Sequence, residues 1–166
     1  IIDALDQGAN VVVTGRAADS ALFMSPLMHE FGWSENDYDS IARGIAVGHM
    51  LECGGQASGG NYQYGWRDVV DMDRLGFPIA EVSAASTSFT KTETSGGLIT
   101  EQSLKEQFLY EIHDPANYIT PDVIADFSHA EIKEVKKDFV ELKGIKGKKR
   151  PDLLKLSIGY NAGYKV

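Results

Sequence analysis

Asn10-Val11-Val12-Val13-Thr14-Gly15-Arg16-Ala17-Ala18-Asp19-Ser20 is the stretch on which the expected fold turns. Three valines between Asn and Thr form a β-branched run of the kind that suits a central strand, covered on both faces of a parallel sheet. Gly15 and Arg16 make a turn, and a helix is expected from about Ala17 to Phe31, ended by Gly32. Strand, turn and helix in that order predict an α/β first half built from parallel-type strand–helix units.

Upstream of this stretch, Ile1 to Gln7 reads as the last turns of a helix, with Gly8 as its C′ residue. A chain that opens in mid-helix is expected to be an internal piece of a longer polypeptide. Downstream, Ser34 starts a second helix, with Asp37 three residues on as a variant of the capping box. That helix is expected to run to about Cys53, placing Tyr38, Ile41, Ile45, Met50 and Leu51 near one face. Four glycines in Gly54-Gly55-Gln56-Ala57-Ser58-Gly59-Gly60 then exclude an α-helix. Residues 61–68 read as a loop and residues 71–76 as one helical turn.

Pro78–Ala84 and Ser86–Thr94 read as strands, followed by a turn at Ser95-Gly96-Gly97. A helix is expected over Glu101–His113, capped by Thr100 and stopped by Asp114-Pro115. Beyond it, Pro121–Phe127 reads as a strand. Glu131–Val135 and Phe139–Lys143 read as a hairpin about Lys136-Lys137-Asp138. Gly144–Arg150 reads as a basic loop and Leu153–Tyr160 as a final strand. The prediction is therefore α/β in the first half and antiparallel strands in the second, an α+β whole. Residues 1–166 form one domain or part of one, with an α/β half over 1–113 and a strand-rich half over 114–166.

The composition agrees with an ordinary globular chain. Hydrophobic residues make up 43% of the 166, charged residues 24%, and the mean hydropathy is −0.21. These values exclude global disorder and a coiled coil. No run of 18 uncharged apolar residues exists, so no membrane span is expected. The net charge of −8 argues against a nucleic-acid partner. Charge is uneven: residues 1–129 carry 6 basic and 19 acidic groups, and residues 130–166 carry 10 basic and 5 acidic. Cys53 is the single cysteine, so no internal disulfide can form, which fits a reducing compartment. No signal-peptide pattern is present, and a cytoplasmic location is expected, or an organellar one in a eukaryote.

Several constellations could carry chemistry. Arg16, Asp19 and Ser20 lie at a strand–helix joint, where free helix N–H groups attract an anion and an arginine adds a bidentate contact. Asp19 capping the helix and pairing with Arg16 is the structural alternative, and both stay open. The stretch is neither a P-loop nor a dinucleotide fingerprint. Gln56, Ser58, Gly59 and Gly60 belong to a loop whose backbone can approach a ligand closely, as do Gly96 and Gly97 before the next helix. His49 and Cys53 stand four apart, which suits two metal ligands. A third is lacking, so a packed helix face is expected and no metal site. A thiol at a helix C-terminus is disfavoured as a thiolate. Residues 110–122 are dense in titratable groups, and His113 there suits general acid–base work. Glu81, on an expected strand, is a second candidate for proton transfer.

TGRAADSAL (14–22), HEFGW (29–33), LECGGQASGG (51–60), GFPIAEV (76–82), SGGLIT (95–100), KEQFLYEIHDPANYITPDVIADF (105–127) and RPDLLKLSIGY (150–160) together resemble the acyclic terpene utilisation (AtuA) family, in order and over nearly the whole chain. Residues 61–67 carry no such match. The resemblance implies a role in the catabolism of acyclic terpenoids and related branched acids, on CoA thioesters. It also implies a small-molecule acyl substrate, acyl-CoA carboxylase subunits as candidate partners, and a homo-oligomer as a candidate assembly. No cofactor is expected, CoA entering as part of the substrate. The positions that match the family motifs are Arg16, Asp19, Ser20, Gln56, Gly59, Gly60, Glu81, Gly96, Gly97 and His113. On this basis Arg16 and the helix start are expected to hold an anionic group. The glycine loops would supply backbone donors, and His113 or Glu81 would move the proton. A non-catalytic assembly or binding partner of a carboxylase is the alternative.

Overall fold

The computed structural model describes residues 1–154, 156 and 158–165. Four α-helices are present among them: α1 (Ile2–Asp6), α2 (Ala21–Phe31), α3 (Tyr38–Leu51) and α4 (Glu101–Leu109). Seven strands follow the first three helices or flank the fourth: β1 (Ile79–Val82), β2 (Thr87–Thr90), β3 (Tyr118–Ile119), β4 (Val123–Asp126), β5 (Glu131–Lys136), β6 (Phe139–Lys143) and β7 (Lys146–Lys149). They form two antiparallel sheets, ordered β1-β2-β6-β5 and β3-β4-β7. The pairing of β2 with β6 joins the two halves of the chain in one sheet.

Helix α3 is the axis of the molecule. Ile41, Ala42, Ile45, Ala46 and Met50 are all essentially inaccessible. They pack in one core with Phe89 and Val140 of the four-stranded sheet, Val123 and Ala125 of the three-stranded sheet, and Leu104 of α4. Two glycines let α2 cross α3 closely. A Cβ on Gly48 would lie 2.6 Å from the Ser20 Cα, and one on Gly44 would lie 2.9 Å from Met24 Cγ. Helix α4 starts at the expected cap: Thr100 Oγ1 accepts the Ser103 amide, and Ser103 Oγ accepts the Thr100 amide, both at 3.0 Å.

The expected α+β class holds, but the parallel strand–helix unit does not. Asn10–Thr14 is not a strand. Val11 and Val13 are 81% and 91% exposed. A valine run makes a buried strand only where a neighbouring strand and covering helices take up its edges and faces. Both sheets here are antiparallel and lie elsewhere, and the helix that follows begins at Ala21 rather than Ala17. Other departures are smaller. Gly54–Gln56 forms a 3-10 turn, and α3 starts at Tyr38, with Asp37 accepting the Ser34 amide at 2.6 Å.

The basic stretch 144–150 contains strand β7 rather than a loop alone. Lys-Gly-Lys-Lys has no β-forming residues, so its extension is set from outside. Lys146 Nζ and the Gly147 amide both bond the Asp39 carboxylate, each at 2.9 Å, and β4 supplies the ladder. Within the expected final strand Leu153–Tyr160, residues 155 and 157 lie outside the described residues, as does 166, and the described ones form no strand.

Candidate functional site

The residues marked out in the sequence do not converge on one point. Arg16 is exposed and among the described residues pairs only with Asp19, at 3.7 Å. With no strand before it, the anion site of a strand–helix joint is not built there. Ser20 is buried at the start of α2 and makes no side-chain capping bond. The two glycine loops pack against each other. The amides of Gly59, Gly60, Gly96 and Gly97 donate to the carbonyls of Gln56, Gly55, Arg74 and Val70, and the Leu98 amide donates to Ser58. The Ser58 hydroxyl donates to the carbonyls of Gly55 and Gly76. Gly97 has a φ of 87°, and its α-carbon lies so close to the Ser58 carbonyl that no side chain fits. These donors are therefore spent within the fold: Gly59 and Gly60 inside their own loop, Gly96 and Gly97 on the 70–74 segment, with the Leu98 amide joining the two loops. Glu81 is exposed on edge strand β1 and lines a separate cleft. His113 is exposed, past the end of α4, with no side-chain hydrogen bond among the described residues.

A different histidine is the centre of a buried polar cluster. His49 is 3% exposed, on the last full turn of α3. Its Nε2 lies 3.1 Å from the Gln107 carbonyl oxygen, and Gln107 Nε2 donates to the His49 carbonyl at 3.2 Å. This reciprocal pair ties α3 to α4. Gln107 is fully buried, and its Oε1 accepts from Gln56 Nε2 at 3.3 Å, so Gln56 supports the cluster from the glycine loop. A carbonyl oxygen can only accept, so Nε2 carries the proton and Nδ1 keeps its lone pair. Burial holds the His49 pKa below its ordinary value, against the pull of Glu52, the Gln107 and Phe108 backbone and Glu111. At neutral pH the ring is an uncharged base.

His49 borders a pocket of about 170 Å³, together with Asp19, Ser20, Glu52, Glu111 and Tyr118. Close packing at Gly48 is what brings Ser20 to this face of α3. Glu111 sits at φ 59°, an unusual conformation for a residue with a side chain. Glu111 lines the pocket, and His113 two residues on is exposed. The Tyr118 ring lies 6.0 Å from that of His49, tilted by 52°, and burial first, then the carboxylates of Glu52, Asp19 and Glu111, hold its phenol protonated. Cys53 donates to Glu52 Oε1 at 3.1 Å, and its thiol is pushed up to about 11, by burial and then by Glu52. It is not a nucleophile at neutral pH. The pocket thus combines a neutral base, a phenol donor and three carboxylates, the components of proton transfer.

An apolar cavity of about 200 Å³ is lined by Phe108, Leu109, Ile112, Phe127 and Ile132, among others. The Phe108 ring lies 6.4 Å from that of His49, and the Phe127 ring 5.4 Å from that of Tyr118.

Residues 1–166, the whole chain, match the model of the acyclic terpene utilisation family protein AtuA. The chain belongs to the AtuA family. No curated protein and no solved structure matches it. In this AtuA family member, membership supports a context of acyclic terpene utilisation. No helix among the described residues is long and apolar enough to cross a membrane.

Glu52, Glu111 and Tyr118 are the site residues that sequence reading missed, and His49 was set aside as packing. The signal for two of them was present in the titratable stretch 110–122. Among those groups the reading chose His113, which lies exposed past the end of α4, whereas Glu111 and Tyr118 line the His49 pocket.

Proposed function

We propose that this AtuA family member binds a branched acyl group carried as a CoA thioester and transfers a proton beside its carbonyl in the His49 pocket. The observation that carries this reading is the neutral, buried imidazole of His49, bordering a pocket walled by Asp19, Glu52 and Glu111. Three carboxylates disfavour a free carboxylate ligand by like-charge repulsion, whereas the acyl end of a thioester is uncharged. In this reading His49 takes the role expected of His113, and the Tyr118 hydroxyl donates to the carbonyl oxygen. The apolar cavity behind Phe108 and Phe127 suits a branched hydrocarbon chain.

Thermal-shift titration with a branched acyl-CoA, the matching free acid and CoA alone tests the proposal. The acyl-CoA at 100 times its dissociation constant stabilises by about 2.7 kcal/mol, and the free acid less. His49→Gln keeps the acyl-CoA shift and abolishes solvent-proton exchange into the bound acyl group. Stabilisation by the free acid alone, or unchanged exchange in His49→Gln, refutes it.

A second reading, a binding subunit beside an acyl-CoA carboxylase, is favoured by one feature. Leu153, Leu154, Leu156, Ile158, Tyr160 and Tyr164 are between 76% and 96% exposed. Exposed apolar groups gathered into one patch would suit a partner surface. Stoichiometric recovery of the carboxylase with the full-length protein from native extract supports it, and a lone homo-oligomer does not.

A further inference from the structure

We propose that Ser20 is a further substrate-binding residue of the His49 pocket, its hydroxyl donating beside that of Tyr118 to the carbonyl oxygen of a bound acyl thioester. The inference rests on the acyl-CoA reading above. It adds the group that stabilises the negative charge formed when the proton leaves.

Ser20 is only 7% exposed and stands at the N-cap of α2. A serine there ordinarily has an extended backbone, which aims its hydroxyl at an amide of the first turn. Ser20 instead has φ −66° and ψ −20°, a helical conformation, and caps no amide. Its hydroxyl has no hydrogen-bond partner among the described residues. The fully enclosed side-chain nitrogen and oxygen atoms without a partner there are Arg43 Nε and Thr87 Oγ1. Ser20 Oγ is not one of them, so it opens onto the space that Ser20 lines, which is the His49 pocket. Packing of the Ser20 backbone against Gly48 fixes this position without tying the hydroxyl to a partner.

The Tyr118 hydroxyl has no partner among the described residues either, and Tyr118 lines the same pocket. Two hydroxyl donors without acceptors thus border a space of about 170 Å³. The carboxylates there are turned to other groups: Asp19 pairs with Arg16 at 3.7 Å, and Glu52 accepts from Cys53 at 3.1 Å. A carbonyl oxygen can only accept, so a thioester carbonyl meets the hydroxyls and not the carboxylates. A donor left unpaired in a closed site costs free energy, which favours a ligand that brings an acceptor to it.

The electron balance of the step shows what these donors do. His49 Nδ1 takes the proton from the carbon beside the carbonyl. The electron pair of that C–H bond becomes the C=C bond of an enolate, and the carbonyl π pair moves onto oxygen. That oxygen turns negative in a pocket already lined by three carboxylates. Neutral hydroxyl donors, and the positive end of α2 at Ser20, offset the repulsion. Return of a proton from His49 to the carbon restores the thioester, so a deuteron taken up from solvent labels the acyl group.

Deuterium exchange into isovaleryl-CoA, catalysed by the full-length protein in deuterium oxide and read by mass spectrometry, tests the role. Ser20→Ala slows exchange by about a hundredfold, the loss typical of one donor to a developing oxyanion. Its dissociation constant for isovaleryl-CoA rises by no more than about tenfold, the worth of one neutral hydrogen bond. The hydroxyl makes no bond in the free protein, so the unliganded melting temperature stays at or above that of the wild type. Ser25→Ala is the control: Ser25 is as deeply buried in α2, at 6% exposure, but does not line the pocket, and exchange is unchanged. Exchange at the wild-type rate in Ser20→Ala overturns the inference and leaves the His49 reading standing. A lowered unliganded melting temperature in Ser20→Ala also overturns it, by making Ser20 a structural residue. A wild-type protein that neither binds isovaleryl-CoA nor exchanges its hydrogens overturns both.

Discussion

Gly48→Ala puts the packing that builds the His49 pocket to a direct test. Two opposed effects decide its sign. Replacing glycine by alanine inside a helix favours folding by up to about 1 kcal/mol. The added Cβ, however, would lie 2.6 Å from both the Cα and the carbonyl oxygen of Ser20. These are backbone atoms and cannot swing aside as a side-chain tip can. Overpacking of this kind costs about 1–3 kcal/mol, and a backbone obstacle places Gly48 toward the upper end. The expected net loss is about 1–2 kcal/mol. For a chain of this length that lowers the melting temperature by about 2–8 °C. Urea unfolding followed by circular dichroism gives the free energy, and differential scanning calorimetry gives the melting shift. Gly15→Ala is the control. Nothing lies within 4 Å of its Cβ position, so its effect stays within about 0.5 kcal/mol. A Gly48→Ala protein that melts at or above the wild type would show that α2 does not cross α3 at this distance. The placement of Ser20 and Asp19 beside His49 would fail with it.

Two further outcomes test the electrostatics of the site. Burial lowers the His49 pKa below its ordinary 6.5, so the unfolded chain binds this proton more readily than the folded one. The stability that His49 contributes is complete above about pH 6.5 and is lost as pH falls from there through its folded pKa. His49→Gln flattens the stability profile in that window, measured by urea midpoints at successive pH values, and an unchanged slope contradicts the burial of a neutral ring. Cys53, with its thiol pushed up to about 11, reacts with iodoacetamide at pH 8 far more slowly in the folded protein than in urea. Equal alkylation rates in the two states refute its assignment as an inert thiol.

The start of α4 and the hairpins were the most legible parts of the chain, because their determinants are local, whereas α4 ends at Leu109 rather than His113. Thr100 and Ser103 are three residues apart and cap each other across one turn, so the start of α4 follows from the spacing alone. Asp138 adopts φ 54° at the end of the β5–β6 connection, a conformation that short polar side chains tolerate. The β1 and β2 strands likewise lie inside the segments expected for them. Misreading began where a local pattern needed a distant partner. Val11, Val12 and Val13 carry strong β propensity, yet no strand of either sheet pairs with them. Lys146–Lys149 carries almost none and is a strand, because β4 and the Asp39 carboxylate hold it extended.

The candidate site divides along the same line. Residue types and spacing were enough to mark 110–122 as rich in titratable groups and to make Cys53 a poor nucleophile. Family membership was also legible, since it rests on the order of residues. The partnership of His49 with Gln107 was not. His49 and Gln107 are 58 positions apart, and only the packing of α3 against α4 makes them partners and leaves the ring buried and neutral. Bringing Ser20 to the His49 pocket depends in the same way on the close crossing of α2 over α3 at Gly48. Local sequence determined the caps, turns and chemical inventory, because those interactions close within a few residues. Tertiary structure decided burial, protonation and which charges share a cavity, because each depends on groups that meet only when distant segments pack.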